Sequence, residues 1–88
     1  MHEARLVRDL VDEIGRVAAT EDADHIHTVR IEIGALSHVT PDSLHATFEL
    51  LAHGSPAQDA HLDISRSNDR TAIYAHDVRL VSVSVEDG

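Results

Sequence analysis

The chain of 88 residues reads as one small α+β domain, with two helices packed on one face of a three-stranded mixed sheet in the order α-β-α-β-β. Three observations predict this. Apolar residues recur at helical spacing from Met1 to Ala18, a second helical stripe follows a Thr-Pro-Asp start at Thr40, and the remaining apolar stretches alternate with a period of two.

In the first helix Leu6, Val7, Leu10, Val11, Ile14, Val17 and Ala18 form the inward stripe. Thr20-Glu21-Asp22-Ala23-Asp24 is an acidic connection of poor helix and strand formers. From His25 to Ile33 the chain alternates, with Val29, Ile31 and Ile33 on one face and Thr28, Arg30 and Glu32 on the other, until Gly34 ends the strand. Ala35 to Val39 is a loop. Thr40 then serves as N-cap, Pro41 as first helical residue and Asp42 as the acid of the first turn. Leu44, Thr47, Phe48, Leu51 and Ala52 line the second helix, which Gly54 and Pro56 stop. His61 to Arg66 is a short strand with Leu62 and Ile64 inward, and Ser67-Asn68-Asp69-Arg70 is a turn. Thr71 to Glu86 is strand-like: Ile73 and Ala75 alternate, as do Val81, Val83 and Val85. Val78 and Leu80 have the opposite parity, which predicts a bulge or break at His76-Asp77.

One Phe, one Tyr and no Trp mean that the core is built from Val, Ile, Leu and Ala. Seven Arg, no Lys and sixteen Asp plus Glu give a net charge of −9, which disfavours nucleic acid and anionic membrane as partners. The absence of Cys removes disulfides, thiolate zinc sites and cysteine nucleophiles. No apolar run approaches the roughly 18 residues of a membrane span, and no signal sequence opens the chain, so a cytoplasmic location is expected.

The eight His, at positions 2, 25, 27, 38, 45, 53, 61 and 76, are the compositional outlier. His25-x-His27 suits a metal pair or the solvent end of a strand equally, and His45 with Glu49 reads as a surface pair one helical turn apart. His2-Glu3-Ala4-Arg5-Leu6 begins like a zincin motif but has Leu6 where the second ligand belongs, and the glycines at 15, 34, 54 and 88 form no phosphate-binding loop. No catalytic constellation is present, and no enzymatic activity is expected.

Met1-His2-Glu3 is a different kind of feature. The Met1 amine and the His2 amide nitrogen close a five-membered chelate on a metal, and the His2 imidazole closes a six-membered ring with its own amide. Ni(II) or Cu(II) can displace amide protons and take such nitrogen donors in a plane, whereas Zn(II) prefers tetrahedral sites. The bulky His2 should also block removal of Met1 and keep the register.

Ile31-Glu32-Ile33-Gly34-Ala35-Leu36-Ser37, Val39-Thr40-Pro41-Asp42-Ser43-Leu44 and Phe48-Glu49, together with the opening Met1-His2-Glu3 and the closing Val81-Ser82-Val83-Ser84-Val85-Glu86, resemble the HypA/HybF family of hydrogenase nickel-incorporation proteins. The resemblance covers nearly the whole chain. It implies a nickel metallochaperone that passes Ni(II), with a HypB-like GTPase, to the large subunit of a [NiFe] hydrogenase and in some organisms to urease. It implies His2 as the principal ligand, with amine or amide nitrogens of Met1, His2 and Glu3 completing most of the plane and Asp42 as a minor candidate for a neighbouring carboxylate. Affinity is expected to be modest and to fall as His2 protonates near its ordinary value of about 6.5. A second reading keeps the scaffold as an interaction module, docking the GTPase or target enzyme through the first helix and the acidic surface with metal binding vestigial.

Proteins of that family normally carry a zinc domain with two C-x-x-C pairs between the second and third strands. Here Ser67-Asn68-Asp69-Arg70 stands in its place, so residues 1–88 are expected to form a nickel-binding domain without zinc. The shortened connection would let the last two strands close as a tight hairpin in a monomer or exchange between two chains in a dimer.

Overall fold

The computed structural model describes residues 3–85. It contains helix α1 (Glu3–Thr20), strand β1 (Ile26–Ile33), helix α2 (Pro41–Leu51), strand β2 (His61–Arg66) and strand β3 (Val78–Val85). The order α-β-α-β-β and the three-stranded mixed sheet are as the sequence predicts.

β1 occupies the centre of the sheet, parallel to β2 on one side and antiparallel to β3 on the other. Parallel neighbours need a long connection, and α2 supplies it between β1 and β2. Val29 pairs with Leu62 and Val83, and Ile31 with Ile64 and Leu80, so two apolar rows cross the sheet beneath the helices. α1 packs against α2 and β3, and α2 against β2. Val7, Leu10, Ile14 and Ala18 of α1 meet Leu44 and Phe48 of α2 over Val29, Ile31 and Ile33, all buried. Leu6 and Val11 are half-buried at the margin of this core. On the outer face Arg30 pairs with Asp63 at 3.3 Å, and Arg79 reaches Glu32 at 2.9 Å. These cross-strand pairs lie on the solvent side, with Glu32 half-buried, and contribute little energy, but they agree with the register that the apolar rows set.

α1 ends in an acidic turn. Asp22 adopts φ 53°, and the Ala23 amide donates to the Ala18 carbonyl at 2.8 Å. Asp tolerates this left-handed backbone better than most residues, which accounts for its place in a connection without glycine. α2 starts as expected, with the Thr40 side chain accepting from the Ser43 amide and Pro41 opening the helix.

Three expectations for the C-terminal third are corrected. β2 and β3 do not close as a hairpin: they lie on opposite edges of the sheet, with β1 between them. The stretch from Thr71 to Ala75 is not strand but a run of turns, with Ala75 donating to the Ala72 carbonyl and Asp77 to the Tyr74 carbonyl, both at 3.0 Å. Ala75 is buried whereas Ile73 is 95% exposed, so their alternation does not report a shared inner face. The bulge lies further along than His76-Asp77. Arg30 pairs with Ser82 and Ile31 with Leu80, which leaves Val81 as the extra residue and carries the inward parity from Val78 and Leu80 to Val83 and Val85.

The turn at the start of this crossover is held by Asp69, whose carboxylate accepts from the Thr71 hydroxyl at 2.7 Å and the Thr71 amide at 3.0 Å. The Thr71 hydroxyl and then its amide hold the Asp69 carboxyl below the ordinary 3.8. A folded value below the unfolded one gives stability that is present above the unfolded value and disappears as pH falls through the folded one. An NMR pH titration should place the Asp69 midpoint under 3.8 and return it upward in Thr71→Val. Equal midpoints in the two chains would refute the assignment.

Candidate functional site

The end of the sheet at which β1 stops is where the site-bearing elements meet. Gly34 follows β1, and its amide donates to the Asp77 carbonyl at 2.7 Å while the Leu36 amide donates to the Ala75 carbonyl at 2.7 Å. The two backbones come so close that a Cβ on Gly34 would stand 2.2 Å from the Ala75 carbonyl oxygen. Glycine is therefore required here for close approach.

Arg66, the last residue of β2, fixes the loop after Gly34 from the other side. Its guanidinium donates to the carbonyls of Gly34 and Ser37 at 3.2 Å each, and to that of Val39. The Ser37 hydroxyl accepts from the Val39 amide at 3.2 Å. A planar guanidinium can bridge carbonyls that diverge in direction, which an ammonium does poorly. The loop from Gly34 to Val39 is thus held by strand ends on both flanks.

The start of α1 is held against α2. The Glu3 carboxylate accepts from the Ser43 hydroxyl at 2.7 Å and from the Thr47 hydroxyl at 2.8 Å. Ser43 and Thr47 are one helical turn apart and so present both hydroxyls to a single carboxylate. The arrangement also sets a negative charge in the first turn of α1, where the helix dipole favours it. Removing both hydroxyls, as Ser43→Ala with Thr47→Val, should cost about 1–2 kcal/mol and speed amide exchange in the first turn of α1. Unchanged protection in that turn would show that the tie carries no energy.

Between the two tethers lies a cleft of about 500 Å³ lined by Glu3, Leu36, Ser37, His38, Val39 and His76. Of the expected site residues, Met1 and His2 lie outside the described residues, and Glu3 is the first residue of α1. The Glu3 carboxylate is engaged by two hydroxyls, and the first amides of a helix have no partner within it. Asp42 is exposed in the first turn of α2, beside Ser43. His25 and His27 line a separate cleft of about 400 Å³ with Asp59, at the other end of β1. His45 and Glu49 form the expected surface pair at 3.7 Å. Among the described residues no three His, Asp or Glu side chains converge on one point.

A model of the family described as "Hydrogenase/urease nickel incorporation, metallochaperone, hypA" matches residues 1–72. The chain belongs to the HypA family. It is 36% identical over 66 residues to hydrogenase maturation factor HypA of Rhizobium leguminosarum bv. viciae, a match that covers 75% of this chain and 58% of that relative. It is 39% identical over 64 residues to hydrogenase maturation factor HypA of Rhodopseudomonas palustris strain TIE-1, covering 73% of this chain and 57% of the relative. The matched part thus spans little more than half the length of these HypA proteins. Two solution structures share the fold. The Ni metallochaperone HypA from Helicobacter pylori superposes with a TM-score of 0.82 at 21% identity over 97% of both chains. A second HypA structure gives 0.76 at 21% identity, over 98% of this chain and 97% of the other.

Ser43, Thr47, Arg66, His38 and His76 are the residues around this cleft that the sequence alone does not place in a site. The i, i+4 spacing of Ser43 and Thr47 was the available signal for the first two, but it does not name their acidic partner. Among the described residues no helix is long and apolar enough to cross a membrane.

Proposed function

We propose that this chain is a cytoplasmic nickel carrier that binds Ni(II) at its amino terminus and delivers it for maturation of a [NiFe] hydrogenase or a urease, without catalysing a reaction itself. Family membership supports the cargo. The observation that carries the site is the tie of Glu3 to Ser43 and Thr47, because it fixes the residue next to His2 against the body of the fold. The Met1 amine, the His2 imidazole and amide, and the Glu3 amide are the donors, and nitrogen donors joined by five- and six-membered rings suit Ni(II).

A carrier must give its cargo up. The donor set sits at a chain end rather than in a closed cage, so a receiving site can displace its ligands one at a time. The acceptors proposed are a HypB-like GTPase and the hydrogenase large subunit. The outer face of α1 is a docking surface open to them, with Arg8 and Asp12 exposed on it. The crossover from Ser67 to Asp77 takes the place of a zinc domain. With no Cys in the chain, it offers zinc no thiolate.

The test is calorimetric titration of Ni(II) into the chain with a native amino terminus, beside Arg8→Glu and Asp12→Arg. One saturable equivalent in all three supports the carrier. No saturable binding in any of them, with a partner complex still formed by the wild-type chain and lost in the two variants, would instead favour an interaction module.

A further inference from the structure

We propose that residues 67–77 form a lid that opens as one unit while the rest of the fold stays closed, latched by the ring of Tyr74 on the guanidinium of Arg79. The lid supplies one wall of the cleft beside Glu3, so the cleft is closed on that side only while the lid is seated. Nothing in this device depends on which cargo the chain carries.

Eleven residues connect β2 to β3, and of these only Ala75 is buried while eight are exposed. The ends of the segment are anchored, because the Ser67 amide donates to the Ile33 carbonyl at 2.9 Å and Val78 begins β3. Between those ends two hydrogen bonds join it to the rest of the described fold, from Gly34 to the Asp77 carbonyl and from Leu36 to the Ala75 carbonyl. Its other bonds are its own: Ala75 to Ala72, Asp77 to Tyr74 and Thr71 to Asp69. The seat is equally bare, since the backbone rests on Gly34, which has no side chain to interlock with it. Opening therefore uncovers chiefly one methyl group and two amides. A segment with so few buried apolar contacts opens at a free energy below that of global unfolding. The centre of β1 is of the other kind, with Val29 and Ile31 buried beneath the helices.

One side-chain contact closes the span. Arg79 is set on the outer face of the sheet by Glu32, to which it donates at 2.9 and 3.0 Å, and its Cζ stands 3.8 Å from the centre of the Tyr74 ring. A cation–π contact at an exposed site is worth roughly a 2- to 5-fold shift in an equilibrium. That biases a loosely seated segment toward closure without locking it. Ile73, beside the latch, is exposed and takes no part in closure. The consequence falls on the cleft. Of its six lining residues only His76 belongs to the lid, whereas Glu3 stands on α1 and residues 36–39 on the loop that Arg66 clamps. When the lid leaves, the cleft loses the His76 wall and keeps the rest.

The experiment is native-state amide hydrogen exchange on the whole chain, followed by NMR at rising sub-denaturing urea, in the wild type, Tyr74→Leu and Ile73→Ser. The Gly34 and Leu36 amides should exchange through one opening. Their protection factors should be equal, at least about tenfold below those in the middle of β1, and nearly independent of urea because little surface is exposed. Tyr74→Leu should lower both about 2- to 5-fold and leave β1 unchanged, whereas Ile73→Ser, beside the latch but outside it, should lower neither. Protection of Gly34 and Leu36 equal to that of β1, with the same urea dependence, would overturn the lid. Unequal opening of the two amides would overturn its unity, and wild-type protection in Tyr74→Leu would overturn the latch.

Discussion

His2→Ala is expected to lower Ni(II) affinity by about 100-fold or more, roughly 2.7 kcal/mol, while leaving the fold intact. In the proposed chelate the imidazole closes the six-membered ring, and without it the amine alone must anchor the metal while amide protons are displaced. Among the described residues the fully buried side chains of α1 begin at Val7. His2→Gln should be measured alongside. A small residue in second position permits removal of Met1 and shifts the amine, whereas Gln keeps Met1 and removes the imidazole alone. Isothermal titration should show the loss in both variants with unchanged thermal stability. Affinity within twofold of wild type in His2→Gln would place the nickel elsewhere.

Gly34→Ala should destabilise the fold, since Gly34 alone among the described glycines has no room for a Cβ. The new Cβ would fall 2.2 Å from the Ala75 carbonyl oxygen and 2.6 Å from that of Tyr74, both rigid backbone. No rotamer change relieves such a clash, so the two strands of backbone must separate. The Gly34–Asp77 and Leu36–Ala75 hydrogen bonds go with them. Overpacking of this kind costs about 1–3 kcal/mol and each lost bond about 1 more, so a loss of about 3 kcal/mol or more is expected. For a domain of this size that is a fall of roughly 12–24 °C in Tm. A fall under about 4 °C would show that the crossover is not packed against Gly34 as described. The same variant moves the loop bearing His38 away from the turns bearing His76, so it tests stability and the cleft together.

The sequence was legible wherever a local period reports burial. Val29, Ile31 and Ile33 alternate because one face of β1 lies under the helices, and Thr40-Pro41-Asp42 opens α2 as such a triplet should. It misled where a short alternation had another origin. Ile73 and Ala75 alternate because one points to solvent while the other tucks a turn against Gly34, and a turn leaves no period to recognise. The change of parity after Leu80 was legible as a bulge, but its position at Val81 depends on pairing with Arg30 and Ile31, which lie in another strand.

The site follows the same division. Met1-His2-Glu3 is a local chelating pattern and can be read directly. The partners of Glu3 are 40 and 44 residues away in sequence on α2. His38 and His76 come to line one cleft only because β3 returns beside β1 and the crossover packs back on Gly34. Histidines scattered along a chain carry no spacing signal, so their shared cleft becomes visible only in the fold.

The central claim is that the free amino terminus of Met1 is itself a nickel ligand. Its most direct test is to titrate Ni(II) into the chain with a free amine and into the same chain acetylated at the Met1 nitrogen. Acetylation leaves every side chain in place but turns the amine into an amide, which no longer offers a free lone pair to the metal. The account predicts that the acetylated chain binds Ni(II) at least about tenfold more weakly, with the same Tm and the same CD spectrum. Equal affinity in the two chains would contradict it.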